Sequence, residues 1–224
     1  TQDGGIYVDD QDGELVLGKI SAGERISQGG LPTSSTGISN ADGNITLSNG
    51  ATGSHDVVIG ADDNIVIGDT VSATDQLTML SRGGGLYNGG DTAILTGRYV
   101  YLQAADRIGQ SGGALKTQSN SLNANSGGNG VYLTENNGLN AAAIRSHGEN
   151  AKVELEATVG DVVLGLLEVQ DGDASVISQG GNIRGDGGAP LNVSANHLTL
   201  DADGAIGSSV QALTTKVDSL TTIT

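Results

Sequence analysis

The sequence predicts an all-β chain wound as a parallel β-helix, a solenoid of roughly eleven short coils open at both ends. Three observations carry this expectation. Short apolar-x-apolar triplets recur along the whole chain, glycine-rich turn dipeptides separate them, and one stretch of the chain repeats itself at a separation of 97 to 98 residues.

The triplets, in order, are Ile6-Tyr7-Val8, Leu15-Val16-Leu17, Ile45-Thr46-Leu47, Ile65-Val66-Ile67, Leu77-Thr78-Met79, Val100-Tyr101-Leu102, Val131-Tyr132-Leu133, Val153-Glu154-Leu155, Leu191-Asn192-Val193 and Leu198-Thr199-Leu200. Each has the period of two that puts alternate side chains on opposite faces of a strand. Gly-Gly, Asp-Gly, Asn-Gly and Ser-Gly pairs between them supply tight corners. Only Ala141 to Ser146 and Leu164 to Val169 hint at helix, and both runs are short.

Composition agrees with a narrow core. The 224 residues include 37 glycines, 2 prolines and 1 methionine, with no cysteine, tryptophan or phenylalanine. An interior without large rings must be filled by thin layers of Val, Ile, Leu and Ala. The 26 acidic and 10 basic residues leave a formal charge of −16, which argues against nucleic acid and anionic membrane surfaces as partners. No apolar run approaches the roughly 20 residues of a membrane-spanning helix.

Internal similarity sets the register. Ser81-Arg82-Gly83-Gly84-Gly85-Leu86 matches Ser178-Gln179-Gly180-Gly181-Asn182-Ile183 at a separation of 97. Val100-Tyr101-Leu102 matches Leu198-Thr199-Leu200, Ile108-Gly109 matches Ile206-Gly207, and Ser121-Leu122 matches Ser219-Leu220, all at 98. Gly130-Val131-Tyr132-Leu133-Thr134-Glu135 also has a counterpart, Gly5-Ile6-Tyr7-Val8-Asp9-Asp10. Residues 1–224 are therefore expected to be one unit of a tandem array and an excerpt of something longer. Its internal modules would span approximately 5–130 and 131–224, the second continuing into 1–4 of the next unit. The periodicity is either covalent, within one giant chain, or noncovalent, between stacked subunits.

Three-residue strands do not stand alone as hairpins. Stacked in register, each pairs with the coil above and the coil below, and parallel pairing requires the chain to wind around to the same edge each time.

Asp106-Arg107-Ile108-Gly109, then Ala114-Leu115-Lys116-Thr117, Ser121-Leu122-Asn123-Ala124 and Gly130 to Glu135 resemble the repeats of filamentous-haemagglutinin-like large exoproteins, as do Gly160-Asp161-Val162-Val163-Leu164-Gly165 and Gly180-Gly181-Asn182-Ile183. The resemblance covers most of the chain and lies in the order of the motifs. It implies a right-handed β-helix exported by two-partner secretion to the cell surface or beyond, serving adhesion, biofilm matrix or contact-dependent competition.

Function is accordingly expected to be non-enzymatic: the structural or adhesive shaft of a secreted bacterial fibre. Its partners would be neighbouring copies end to end, and other fibres or glycans laterally. A glycan- or receptor-binding segment is the alternative, and a polysaccharide-cleaving β-helix the remote one. Tyr7, Tyr99, Tyr101 and Tyr132 are candidate exposed contacts, because each flanks inward apolar positions. No cofactor is expected beyond weak calcium, for which the acidic turns with Asp9, Asp10, Asp12, Asp201 and Asp203 are the candidates. Asp-Gly is also a common turn pair, and none of these turns continues to the distal glutamate of a calcium loop. His55, His147 and His197 lack the spacing of metal ligands.

Overall fold

The computed structural model describes residues 7–10, 15–17, 20–22, 35–40, 45–48, 51–53, 56–149 and 151–224, with side chains from Ile45 onward. The described residues form strands and turns and contain no helix. In chain order the strands are β1 (Tyr7–Asp10), β2 (Leu15–Leu17), β3 (Ile20–Ala22), β4 (Ser35–Asn40), β5 (Ile45–Leu47), β6 (Ala51–Gly53) and β7 (Asp56–Ala61). They continue with β8 (Ile65–Ile67), β9 (Val71–Ala73), β10 (Gln76–Ser81), β11 (Leu86–Asn88), β12 (Ile94–Ala104), β13 (Leu115–Ser126) and β14 (Val131–Glu135). The last are β15 (Leu139–Ser146), β16 (Lys152–Ala157), β17 (Val162–Val169), β18 (Asp173–Ser178), β19 (Ile183–Gly185), β20 (Val193–Ala202) and β21 (Thr215–Ile223).

Pairing between these strands is parallel throughout. Three continuous ladders run the length of the solenoid. The first passes through Val8, Ile38, Ile59, Met79, Leu102, Ala124, Ile144, Leu167, Val193 and Thr215. The second is Leu15, Ile45, Ile65, Leu86, Ile108, Val131, Val153, Ala174, Leu198 and Leu220. The third is Ile20, Ala51, Val71, Leu95, Thr117, Glu135, Ala157, Ser178 and Ala202. From Ile45 to Leu198 the apolar members of these ladders are at most 3% exposed, so like side chains stack into a single core. Slender aliphatic side chains suffice because three walls converge on it.

The first ladder stacks ten strands, fewer than the eleven coils expected. Each coil takes more residues than a count of eleven allows because the corners bulge: Gln110 and Gly113 close a small turn between Ile108 and Leu115. Strands are also longer than triplets wherever the chain crosses a corner without breaking, as over the 12 residues of β13.

The two helix-like runs are strands, β15 and β17. Ala142 is an extra residue in β15: Leu122 pairs with Ala141 and Asn123 with Ala143. One coil up, Ala141 pairs with Leu164 and Ala143 with Leu166, which sets Gly165 over the bulge. A Cβ on Gly165 would lie 2.5 Å from the Ala142 carbonyl oxygen, so glycine is the residue that fits. The run Ala141-Ala142-Ala143 imitates helix only because a bulge breaks the alternation.

Segments that match in sequence share local geometry. Gly109 and Gly207 both have positive φ, 68° and 71°, and donate N–H to Leu86 O and Ile183 O at 2.8 and 2.7 Å. Gln110 N–H reaches Gly113 O at 3.2 Å, and Ser208 N–H reaches Gln211 O at 3.2 Å. The buried hydroxyls of Ser81 and Ser178 donate to Asp63 O and Gly160 O, at 2.5 and 2.8 Å.

These counterparts stand on different walls. Ser81 reaches Val169 by four coil steps through Ala104, Ser126 and Ser146, whereas its counterpart Ser178 lies on the next strand, β18. Thr117 belongs to the third ladder and Thr215 to the first. The sequence repeat therefore advances by four coils and about a third of a turn.

Candidate functional site

The outer side of β7, β10, β12, β13 and β15 forms one broad wall. Its central row runs Val58, Thr78, Tyr101, Asn123 and Ala143, and a parallel row runs Leu80, Gln103, Asn125 and Arg145. Tyr99 joins through the row of Gln76 and Ser121. Alternation within each strand sends these side chains out while their neighbours enter the ladders. Tyr101 is 39% and Val58 41% exposed, whereas Tyr99 is half-buried.

Charges on this wall are confined to its margins. Asp56 stands at one end, and Arg145 at the other pairs with Glu168 at 3.5 Å. The Arg98 guanidinium lies 5.2 Å from the centroid of the Tyr99 ring, within the range of cation–π attraction. A shallow depression of about 200 Å³ opens beside Tyr101, Gln103, Asn125 and Arg145. Around the corner, Arg98, Gln118, Asn120 and Asn137 line a more open groove of about 380 Å³. Amides, hydroxyls and phenol rings on a flat surface suit neutral hydroxylated ligands or a second wall of the same kind.

The four tyrosines are divided. Tyr7, on β1, registers with Gly37, which registers with Val58, so its position belongs to the row of Tyr101. Four coil steps separate the two, about 19 Å at the usual strand spacing. Tyr132 is half-buried on another wall, beside Glu154 and Ser175. The side chains of Tyr7, Asp9 and Asp10 and the whole of Asp12 lie outside the described residues.

Asp201 is half-buried on the outer side of β20, between Ile177 and Ile223. Asp203 is exposed, and its Oδ2 accepts the Gly180 N–H at 2.8 Å. Among the described residues no three His, Asp or Glu side chains converge as a metal site would require. Turn carboxylates instead bind neighbouring turns: Asp161 Oδ1 accepts both the N–H and the side-chain amide of Asn182 at 2.9 Å, and Asn182 Oδ1 accepts Ala205 N–H at 2.8 Å. Those donors, with Arg184 at 3.4 Å, hold the Asp161 carboxyl below the usual carboxylate range. His197 Nδ1 lies 2.7 Å from Asp173 Oδ1 on an exposed edge.

Two polar groups inside the core escaped sequence reasoning. Glu135 is fully buried in the third ladder. Its Oε2 accepts Thr117 Oγ1–H at 2.9 Å and Ser119 Oγ–H at 3.0 Å, and its Oε1 accepts Ser119 N–H at 2.9 Å. Burial raises its pKa, and those hydrogen bonds oppose the rise. Asn192 is 2% exposed; its amide donates to Leu164 O at 2.7 Å and Gly165 O at 3.1 Å, and its Oδ1 accepts Thr214 N–H at 3.1 Å. The parity of Val131-x-Leu133-x-Glu135 pointed inward for the first; nothing in the sequence pointed to the second.

No protein-family model, curated protein or solved structure matches this chain.

Proposed function

We propose that this chain is a length of shaft in an extracellular bacterial fibre, a structural and adhesive element with no reaction of its own. The observation that supports this reading is the set of three uninterrupted ladders: every coil is hydrogen-bonded to its neighbours, and the core continues along the axis. Load applied along such a rod is shared by successive coils, each of which contacts only its neighbours. The excess of acid keeps like rods apart in solution.

Stretching single molecules between their termini tests the reading. A shaft extends in repeated steps of one coil, about 23 residues or roughly 8 nm of extended chain each. Release of reducing ends from polysaccharides incubated with the chain removes the proposal and replaces it with an enzyme.

The Tyr99–Tyr101 wall favours one second reading, lateral recognition of neutral glycans. Tyr101→Ala is then expected to weaken binding to a neutral oligosaccharide array by about three- to tenfold, the worth of one aromatic stack. Equal binding by the variant, or none by the parent, leaves the wall a plain surface.

A further inference from the structure

With one exception, the described arginines are paired with acids. Arg82, Arg107, Arg145 and Arg184 each lie 3.2 to 3.5 Å from an Asp or Glu oxygen. Arg98 is exposed, and among the described residues neither a carboxylate nor a carbonyl accepts from it. Its guanidinium instead lies over the Tyr99 ring, an attraction that leaves its N–H donors uncommitted.

The placement follows from a corner of the coil. β12 and β13 pass there from the third ladder to the first, and their register pairs Gly97 with Ser119 and Tyr99 with Ser121. Arg98 and Asn120, between those pairs, point outward and are exposed. Together with Thr96 and Gln118 they border the open groove of about 380 Å³. The side chains of Thr96, Gln118 and Asn120 have no hydrogen-bond partner among the described residues. No carboxylate lines the groove, and that of Glu135 is closed off behind Ser119. The chain's formal charge of −16 does not forbid an anion here, because more distant acids are screened over about 8 Å at physiological salt.

One planar fork, with no second cation lining the groove, matches a planar carboxylate, which it can hold by two parallel bonds. Gln118 and Asn120 each offer both donor and acceptor, the combination that ring hydroxyls need. Tyr101 follows three residues along β12, about 10 Å at the usual rise per residue, and its aromatic face suits the apolar face of a sugar. An acidic peptide would satisfy Arg98 and leave Tyr101 without such a face. Resting on the glycan reading of the Tyr99–Tyr101 wall, we propose that the corner groove takes a hexuronate unit of a polysaccharide. Arg98 binds its carboxylate, Gln118 and Asn120 bind its hydroxyls, and a neutral unit next to it stacks on Tyr101.

Equilibrium dialysis of the whole chain tests this with a tetrasaccharide that alternates glucuronate and N-acetylglucosamine, and with the same sugar after its carboxyls are reduced to alcohols. The parent is expected to bind the acidic form about fivefold more tightly, the upper range for one exposed ion pair. Arg98→Gln abolishes that preference and leaves the reduced form bound as before. Arg82→Gln, the same change of net charge outside the groove, keeps the preference. Both arginines are exposed, and circular dichroism confirms that both variants are folded. A parent without preference, or equal loss of it in both variants, overturns the hexuronate site, while binding of the reduced form keeps the glycan reading. Free glucuronate or a short polyglutamate bound as tightly as the tetrasaccharide overturns the site too, as one blind to sugar. No binding of either tetrasaccharide by the parent removes both readings.

Discussion

Asn192→Ala is expected to loosen β21 from the coil beneath it. Asn192 ties three coils together, because its amide reaches Leu164 and Gly165 in the coil below and its Oδ1 holds Thr214 in the coil above. Backbone bonds from Asn192 N–H and Val193 N–H to Thr214 O close the same clasp. Alanine leaves two carbonyls and one N–H without these partners in a site 2% exposed, a loss of about 3–5 kcal/mol. In a solenoid the damage stays near its origin. Amide exchange over Thr215 to Ile223 is therefore expected to quicken by a hundredfold or more, while β10 and β12 exchange as in the parent. Asn192→Asp sharpens the test, since a carboxylate would face two carbonyl oxygens. Its exchange defect is expected to shrink on acidification, when the protonated acid can donate again. Uniform exchange across the chain in either variant would refute the clasp.

Glu135→Gln is expected to remove a component of pH-dependent stability. Burial raises the Glu135 pKa above that of the unfolded chain, so its favourable share is complete below the ordinary carboxyl pKa, about 4.3. That share is lost as pH rises through the folded value. Glutamine occupies the same space, can accept the Ser119 N–H and carries no charge. The difference between parent and variant in urea unfolding should therefore be small near pH 4 and move in favour of the variant by pH 7. Glu135→Ala has the opposite outcome: it opens a cavity and strands the Ser119 N–H, costing about 2–4 kcal/mol at either pH. A parent-minus-Gln difference that is flat with pH would show that the carboxyl feels no burial.

How much of this was legible depends on parity. Where alternation is regular, as in Val131-x-Leu133-x-Glu135 or Leu198-x-Leu200-x-Ala202, reading every second residue identifies the ladders directly. It fails where corners or bulges shift the phase. Leu191-Asn192-Val193 looks like an apolar pair with an outward asparagine, yet the chain enters β20 so that Asn192 and Val193 are buried and Leu191 is half-buried. The Ala142 bulge and Gly165 above it disguise two strands as helix, because the alternation they break is the only local signal of strand. Of the surface candidates, Tyr99 and Tyr101 emerge as neighbours on one wall, since adjacent outward positions of one strand stay together. That Tyr132 stands on a different wall from Tyr7 depends on coil length summed over the whole module, which no local pattern records.

The third-of-a-turn advance between sequence repeats bears on how a long rod bends. Any asymmetry that recurs between modules, such as the small turn that Gln110 closes with Gly113 and its counterpart at Ser208 and Gln211, would give each module a preferred direction of curvature. Were modules to advance by whole coils, every such bias would point the same way and a fibre would curl into an arc. In a fibre of the proposed kind, counterparts facing about 120° apart would let three successive biases cancel. Irregular pieces would then compose a filament with a straight mean axis.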